Sequence, residues 1–224
     1  MGWYDYLRNP PRESWQGPFN NQDGRKQIFA DLRNVCEFEA IVETGTFRGD
    51  TTEFMHQQSQ LPVYSAELYP RFFSCSKLRL RHMKDINLFC ADSVSFLQGI
   101  WRKQLVPNRG LFFYLDAHWY AKLPAKEETA FIFEKWPDAV VMIDDFQVPD
   151  DSGYKFDDYG EAGVLSLALF EGPFFVGVRK WFPRLPSERE TGAKRGVVVL
   201  AKDSKRCEIL GAIETLREYV PQGQ

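Results

Sequence analysis

Short apolar runs alternate with amphipathic segments along most of the chain. Five of these runs end in an acidic residue, at intervals of 24, 25, 24 and 28 residues: Glu43, Glu67, Asp92, Asp116 and Asp144. Near-continuous apolar runs of this kind are typical of strands buried on both faces of a parallel sheet. The segments between them carry apolar residues at helical spacing. The alternation therefore predicts right-handed βαβ units in an α/β fold.

Helix-start signals lie between the predicted strands. Asp50 or Thr51 is suited to cap the first helix, Pro70 to occupy the first turn of the second, and Ser93 to cap the third, while Pro124 precedes the fourth. Beyond the fifth strand we expect a helix over 161–170, strands over 174–178 and 196–200 joined by a long loop, and a last helix over 209–216.

The N-terminal segment has a different character. Residues 1–27 are rich in aromatic residues, proline and glycine and show no sustained period, so we expect an arm packed on the domain or on a subunit partner, or a lid over a pocket. Residues 28–224 are expected to form a single domain. An aromatic arm is compatible with a homodimer.

Composition excludes several classes of function. The chain has 224 residues and a net charge of −3, which argues against a general nucleic-acid partner. No apolar run approaches the 18 residues of a membrane span, so we expect no membrane association. The first residues do not show a signal-peptide pattern, and the four cysteines are scattered. We therefore expect a cytoplasmic protein with reduced thiols.

The turn after the first predicted strand, Glu43–Gly49, carries the first chemical signal. Gly45 allows a tight turn, and Gly49 allows a ligand to approach the backbone. The dinucleotide fingerprint needs a second glycine where Thr46 or Phe47 stands, and an acid before the turn repels a pyrophosphate. The turn therefore favours a cationic ligand over a dinucleotide.

These residues resemble the class I S-adenosylmethionine-dependent methyltransferases. The Glu43–Gly49 turn matches that family's acid-x-Gly-x-x-x-Gly pattern, and the resemblance covers about residues 38–202. It implies a three-layer α/β sandwich with a Rossmann-like, mostly parallel seven-stranded sheet of order 3-2-1-4-5-7-6. It also implies that Glu67 holds the ribose, that Asp92 and Ser93 meet the adenine, and that the turn cradles the methionine part. The full set of donor-binding residues that we expect is Glu43, Gly45, Thr46, Gly49, Thr51, Glu67, Asp92, Ser93 and Asp116.

A narrower resemblance concerns the ends of the fourth and fifth strands. Leu115–His118 and Ile143–Phe146 look like the strand ends of metal-dependent O-methyltransferases of the catechol and macrocin types. The resemblance implies a Mg²⁺ ion held by Asp116, Asp144 and Asp145, although the catechol pattern has Asn where Asp145 stands. Such an ion lowers the pKa of a substrate hydroxyl.

The strand-four acid and the histidine after it are the catalytic candidates. His118 follows Asp116 by two residues, on the edge where ligands bind. It is suited to act as a general base, as a metal ligand, or as a helix-entry residue bonded to backbone. We therefore take Asp116 and His118 as the catalytic pair.

The predicted function is methyl transfer from S-adenosylmethionine to a hydroxyl of a small molecule, of sugar or secondary-metabolite type. Two alternatives stay open. One is a nicotinamide-dependent oxidoreductase, which the bulk of Phe47 in the turn disfavours. The other is a non-catalytic relative that binds the donor or a partner protein.

Overall fold

In the computed structural model, which describes residues 17–118 and 123–221, eight strands form one sheet. The strands are β1 (Ala40–Thr44), β2 (Val63–Glu67), β3 (Ile86–Cys90), β4 (Leu111–Leu115), β5 (Val140–Asp144), β6 (Arg179–Pro183), β7 (Val197–Ala201) and β8 (Leu216–Glu218). Their order in the sheet is β3-β2-β1-β4-β5-β7-β6-β8. The first five strands run parallel, and β7 pairs antiparallel with both β5 and β6.

Six α-helices pack against this sheet within the described ranges. They are α1 (Asp23–Cys36), α2 (Asp50–Ser59), α3 (Pro70–Leu80), α4 (Ser93–Arg102), α5 (Ala125–Lys135) and α6 (Ser204–Gly211). No helix in this described part of the chain is both long and apolar enough to cross a bilayer.

The sheet separates two apolar cores, and the period of two along each strand assigns the side chains to them. In β1, Ile41 packs in the core beneath α1, α2 and α6, whereas Val42 packs in the core beneath α4 and α5. By the same alternation Glu43 lies on the α2 side and Thr44 on the α5 side. The sequence period thus decides which helix each strand-end polar residue meets.

The predicted fold class is confirmed, with one addition to the sheet. The order predicted for seven strands is the observed order, and β8 extends it beyond β6. The predicted final helix is wrong in its last part, because α6 ends at Gly211 and Leu216 begins β8. The short strand pairs antiparallel with β6, where Trp181 opposes Glu218.

The segment between β5 and β7 differs most from the sequence prediction. The helix expected over 161–170 is wrong, since this stretch holds only 3₁₀ turns, over Gly160–Ala162 and Leu167–Phe170. Gly163, at a φ of 113°, stops the first turn. The strand expected over 174–178 is also wrong; β6 lies within the predicted loop instead.

Helix α1 was not predicted, and it carries an unusual residue. Its apolar stripe from Ile28 to Cys36 packs on the sheet, and Arg25 lies one turn earlier on the same side, fully buried. The guanidinium pairs with Asp144 at the end of β5 and donates to the carbonyl of Gly196 at 3.1 Å. A charge buried this deeply is tolerated only with such partners. Arg25 thus fixes α1 to the carboxyl end of the sheet.

Replacing Arg25 by Met is expected to lower the free energy of unfolding by about 3–5 kcal/mol, because it leaves Asp144 charged and buried without its partner. Urea denaturation followed by circular dichroism measures this loss. The matched control is Arg179→Met, which removes the more exposed pair with Glu218 and is expected to cost about 1 kcal/mol or less. Equal losses in the two variants would contradict a special role for Arg25.

Candidate functional site

A cavity of about 750 Å³ opens at the carboxyl edge of the parallel strands. This is the edge at which ligands bind in open α/β sheets. Eight of the residues predicted to form the site lie in its wall: Gly45, Thr46, Thr51, Glu67, Asp92, Ser93, Asp116 and Asp145. Four others lie outside the wall: Glu43, Gly49, His118 and Asp144.

The turn after β1 packs closely against the backbone that follows β4. Gly45 has a φ of 92°, and a Cβ atom there would lie 2.3 Å from the backbone oxygen of Asp116. Only glycine fits this approach. Phe47 also has a positive φ of 47°, and its ring lies 4.6 Å from that of Phe72 in the cavity wall. An aromatic pair therefore occupies the side of the cavity next to the turn.

Glu67 is an acid of the cavity wall that two backbone hydrogen bonds hold in place. One carboxylate oxygen accepts the backbone N–H of Phe47 at 2.8 Å, and the other accepts that of Tyr69 at 2.8 Å. Burial raises the pKa of Glu67, although these backbone hydrogen bonds oppose the shift. A carboxylate can accept about four hydrogen bonds, so Glu67 keeps acceptor capacity for a ligand donor. The carboxylate is thus held in one orientation facing the cavity.

Glu43 lies beneath the turn. Its Oε2 accepts hydrogen bonds from the hydroxyls of Thr52 in α2 and Ser65 in β2. Its Oε1 is buried and has no hydrogen-bond partner among the described residues. Burial raises the pKa of Glu43 to about 7. In this position the side chain supports the turn from below.

Asp92 and Ser93 follow β3 and begin α4. Asp92 is the N-cap, and its Oδ1 accepts the N–H of Ser95 at 2.9 Å. Ser93, the cap predicted from the sequence, is the first residue of the helix instead. Both residues lie in the cavity wall. Capping orients the Asp92 carboxyl at the rim of the cavity.

Asp116, His118 and Asp145 form a cluster beside the cavity. One potential ligand atom from each lies within 4.8 Å of the others. The Nε2 atom of His118 is 3.7 Å from Oδ1 of Asp116 and 3.9 Å from Oδ2 of Asp145. Burial, followed by the charge of Asp144, raises the pKa of Asp116 well above its usual range. The structure therefore brings two of the three predicted metal-binding acids, Asp116 and Asp145, together with His118, the predicted base.

Asp144, the third acid predicted to bind a metal, does not join this cluster. Burial is complete, and its carboxylate pairs with Arg25 and accepts hydrogen bonds from Tyr114 and, at 3.0 Å, from Asn20. Along β5 the period of two turns Asp144 to the same face as Met142, beneath α1. Asp144 therefore faces Arg25, and the third residue of the cluster is His118.

Asp145 leaves the strand by a left-handed turn at a φ of 54°. That turn directs its carboxylate into the cavity, away from the side taken by Asp144. Burial alone would raise the pKa of Asp145, but His118 and Arg195 outweigh it and lower the pKa. Arg195 donates to Oδ1 of Asp145 at 2.7 Å and also pairs with Asp157. The Oδ2 atom is the one that faces His118.

Two features of the wall were missed by the sequence analysis. Asn20 lies in the wall and donates to Oδ1 of Asp145 at 3.4 Å, and residues Phe19–Asn21 all have positive φ. Tyr159, also in the wall, donates to the backbone oxygen of His118 at 2.6 Å. Arg25 could have been recognised from the apolar stripe that it precedes; Asn20 has no comparable sequence signal. Of the predicted arm, residues 1–16 lie outside the described residues.

Tyr154 and Lys155, in the loop after β5, lie outside the cavity wall. Tyr154 is buried in the core beneath α4 and α5, where its hydroxyl donates to the carbonyl of Leu185 at 2.9 Å. Lys155 is exposed. Asp157 and Tyr159 are the members of this loop that reach the cavity.

The fold is found in solved structures of O-methyltransferases. One, from Bacillus cereus with S-adenosylhomocysteine bound, is 13% identical, covers 81% of each chain and has a TM-score of 0.55. Another acts in tomaymycin synthesis in Streptomyces achromogenes and holds S-adenosylmethionine; it is 14% identical, covers 80% of each chain and has a TM-score of 0.55. A fibrillarin from Aeropyrum pernix, also with S-adenosylmethionine, is 11% identical over 84% of this chain and 76% of its own, at a TM-score of 0.54.

No family model and no curated protein sequence matches the chain. At these identities the structural likeness is one of fold, and it confirms the three-layer architecture predicted from the sequence. Function must be argued from the site itself.

The buried Glu43 is expected to make the free energy of unfolding depend on pH. Its pKa is raised to about 7 in the folded chain, so ionising it costs stability between its unfolded pKa and about pH 7. Glu43→Gln is therefore expected to be more stable than the natural chain at pH 8, by up to about 3 kcal/mol, with the difference vanishing near pH 4.5. Denaturation midpoints across this range measure it. Glu208→Gln, at an exposed position of α6, is the control. A difference for Glu43→Gln that does not change with pH would contradict the prediction.

Proposed function

We propose that the protein transfers a methyl group from S-adenosylmethionine to a hydroxyl group of a small molecule. The observation that carries the proposal is the Glu67 carboxylate, held at the end of β2 by two backbone N–H groups and facing the cavity. A fixed carboxylate with free lone pairs is suited to accept hydrogen bonds from the two hydroxyls of a ribose. Structures that share the fold hold S-adenosylmethionine or its product.

The other contacts with S-adenosylmethionine are inferred from the residues that line the cavity. The backbone of the turn at Gly45 and Thr46, with Thr51 at the start of α2, would receive the methionine part. Asp92 and Ser93 would lie against the adenine, since they line the cavity at the end of the neighbouring strand. Glu43 would act from below, through Thr52 and Ser65, by keeping the turn in place.

Methyl transfer needs little from the protein beyond position and proton removal. The acceptor oxygen must lie about 3 Å from the sulfonium methyl, in line with the bond that breaks. The polar end of the cavity, at Asp116 and Asp145, is where we place this oxygen. When no ion is bound there, its proton would pass to the Asp116–His118 pair.

The cluster of Asp116, His118 and Asp145 fits a divalent cation. The fit rests on His118, because its Nε2 atom is buried and has no hydrogen-bond partner among the described residues, although two carboxylates face it. These three residues would hold the ion. When bound, a cation at this place lowers the pKa of an acceptor hydroxyl.

A nicotinamide cofactor fits less well. The rings of Phe47 and Phe72 meet at 4.6 Å on the side of the cavity where the glycine-rich turn of a dinucleotide-binding protein admits a pyrophosphate.

We place the protein in the cytoplasm, where its four free cysteines would stay reduced. The role of the N-terminal arm as a lid or as a subunit contact stays a prediction.

Calorimetric titration with S-adenosylmethionine and S-adenosylhomocysteine tests the proposal directly. We expect micromolar binding of both, weakened by about tenfold to hundredfold in Glu67→Gln, because that variant loses a charged hydrogen-bond acceptor for the ribose. Glu208→Gln, an amide substitution at an exposed site, is expected to bind as the natural chain does.

Two results would overturn the proposal. One is the absence of binding of either ligand to the folded protein. The other is tight binding of NAD together with an unchanged affinity for S-adenosylmethionine in Glu67→Gln. Either result would move the search to nucleotide ligands at the same edge of the sheet.

A further inference from the structure

We infer that the cluster of Asp116, His118 and Asp145 selects a first-row transition-metal ion, such as Mn²⁺, Fe²⁺ or Co²⁺, over Mg²⁺, with Nε2 of His118 as the selecting ligand. This extends the proposed function, since it concerns the acceptor end of the same cavity. Its test does not require methyl transfer.

The first step is the state of His118. The side chain is 1% exposed, and Nε2 has no hydrogen-bond partner within the described residues. A buried polar atom without a partner costs free energy, so native structures rarely leave one. The same atom lies 3.7 Å from Oδ1 of Asp116 and 3.9 Å from Oδ2 of Asp145. Both distances exceed the 2.7–3.2 Å of a hydrogen bond, so direct bonding does not satisfy it.

The second step is the size of the gap. Divalent ions of this group bind oxygen and nitrogen at about 2.1 Å, so two ligands on one ion lie about 3.0 Å apart at right angles and about 4.2 Å apart when opposite. The separations of 3.7 Å and 3.9 Å from His118 fall between these limits. All three ligand atoms lie within 4.8 Å of one another. One ion in the middle would satisfy the imidazole and both carboxylates together.

The third step is the composition of the ligand set. Arg25 holds Asp144 away from the cluster, and Arg195 occupies Oδ1 of Asp145. One oxygen from each of two carboxylates and one imidazole nitrogen are left to face the gap. Mg²⁺ strongly prefers oxygen, whereas first-row transition-metal ions accept an imidazole ligand more readily than Mg²⁺ does. The nitrogen at position 118 therefore favours a transition metal.

The backbone around His118 supports its role as a fixed ligand. The hydroxyl of Tyr159 lies 2.6 Å from the carbonyl oxygen of His118 and 2.5 Å from Oδ2 of Asp157, so the single O–H is shared between these two acceptors. Asp157 in turn pairs with Arg195, which holds Asp145. Residues 118 and 145 are thus joined by one chain of polar contacts. Such supporting contacts orient metal ligands in known sites.

The experiment uses the full chain stripped of metal with a chelator. Calorimetric titrations with MnCl₂ and MgCl₂ are expected to show binding of Mn²⁺ about tenfold or more tighter than that of Mg²⁺. With CoCl₂ the visible absorption of Co²⁺ is expected to change on binding, which reports the ligand set without any turnover.

Variants at position 118 then separate ligand from base. His118→Gln is expected to weaken Mn²⁺ binding by about tenfold or more and to alter the Co²⁺ spectrum. His118→Asp, which supplies an oxygen, is expected to narrow the preference for Mn²⁺ over Mg²⁺. His82→Gln, at an exposed position, is the matched control and is expected to change neither property. The circular dichroism spectrum and urea denaturation midpoint of each variant show that the domain is folded.

Three results would overturn the inference: no binding of any of the three ions, Mg²⁺ binding as tight as Mn²⁺, or an unchanged Co²⁺ spectrum in His118→Gln. The last would leave His118 as a base. The Glu67→Gln variant distinguishes failure of the proposed function from failure of this inference. Glu67 lies outside the metal cluster, so its substitution tests the binding of S-adenosylhomocysteine and not the binding of the ion. If the natural chain binds Mn²⁺ but not S-adenosylhomocysteine, the methyltransferase proposal fails and the metal inference stands.

Discussion

Three carboxylates crowded at the ends of two neighbouring strands impose the main constraint on this molecule. Asp116, Asp144 and Asp145 lie largely out of water, where uncompensated charge is costly. Arg25 compensates Asp144 from one side of the sheet, and Arg195 compensates Asp145 from the other end of the chain. Among the described residues, the ion pairs of Asp116 involve His118 alone. The placement of α1, of the β5–β7 segment and of the cluster all follow from this need.

Much of the fold and about half of the site follow from local patterns. Each apolar run in the first two thirds of the chain became a strand, because a strand buried on both faces must be apolar and its ligand-facing end is free to be acidic. The position of Gly45 and Glu67 followed from the same logic. Such residues depend only on their own strand and the turn after it.

The remainder depends on partners distant in the chain. Asp144 and Asp145 are neighbours in sequence, yet the period of two sends the first beneath α1 and a left-handed turn sends the second into the cavity. The period could have been applied to Asp144, but its partner Arg25 lies 119 residues earlier, and no local pattern indicates that the two side chains meet. Between β5 and β7, glycines at positive φ broke an apparently helical stretch, and only the packed structure decides such cases.

The reach of Arg25 also bears on the order in which the chain can complete its fold during synthesis. Helix α1 is synthesised before all eight strands, and Arg25 meets Asp144 only 119 residues later and Gly196 only 171 residues later. Contacts of such long range close slowly and late. A nascent chain that stops before the end of β5 would thus carry an uncompensated cation in α1 and an unfinished cavity edge. The last strands to emerge complete the environment of the first helix.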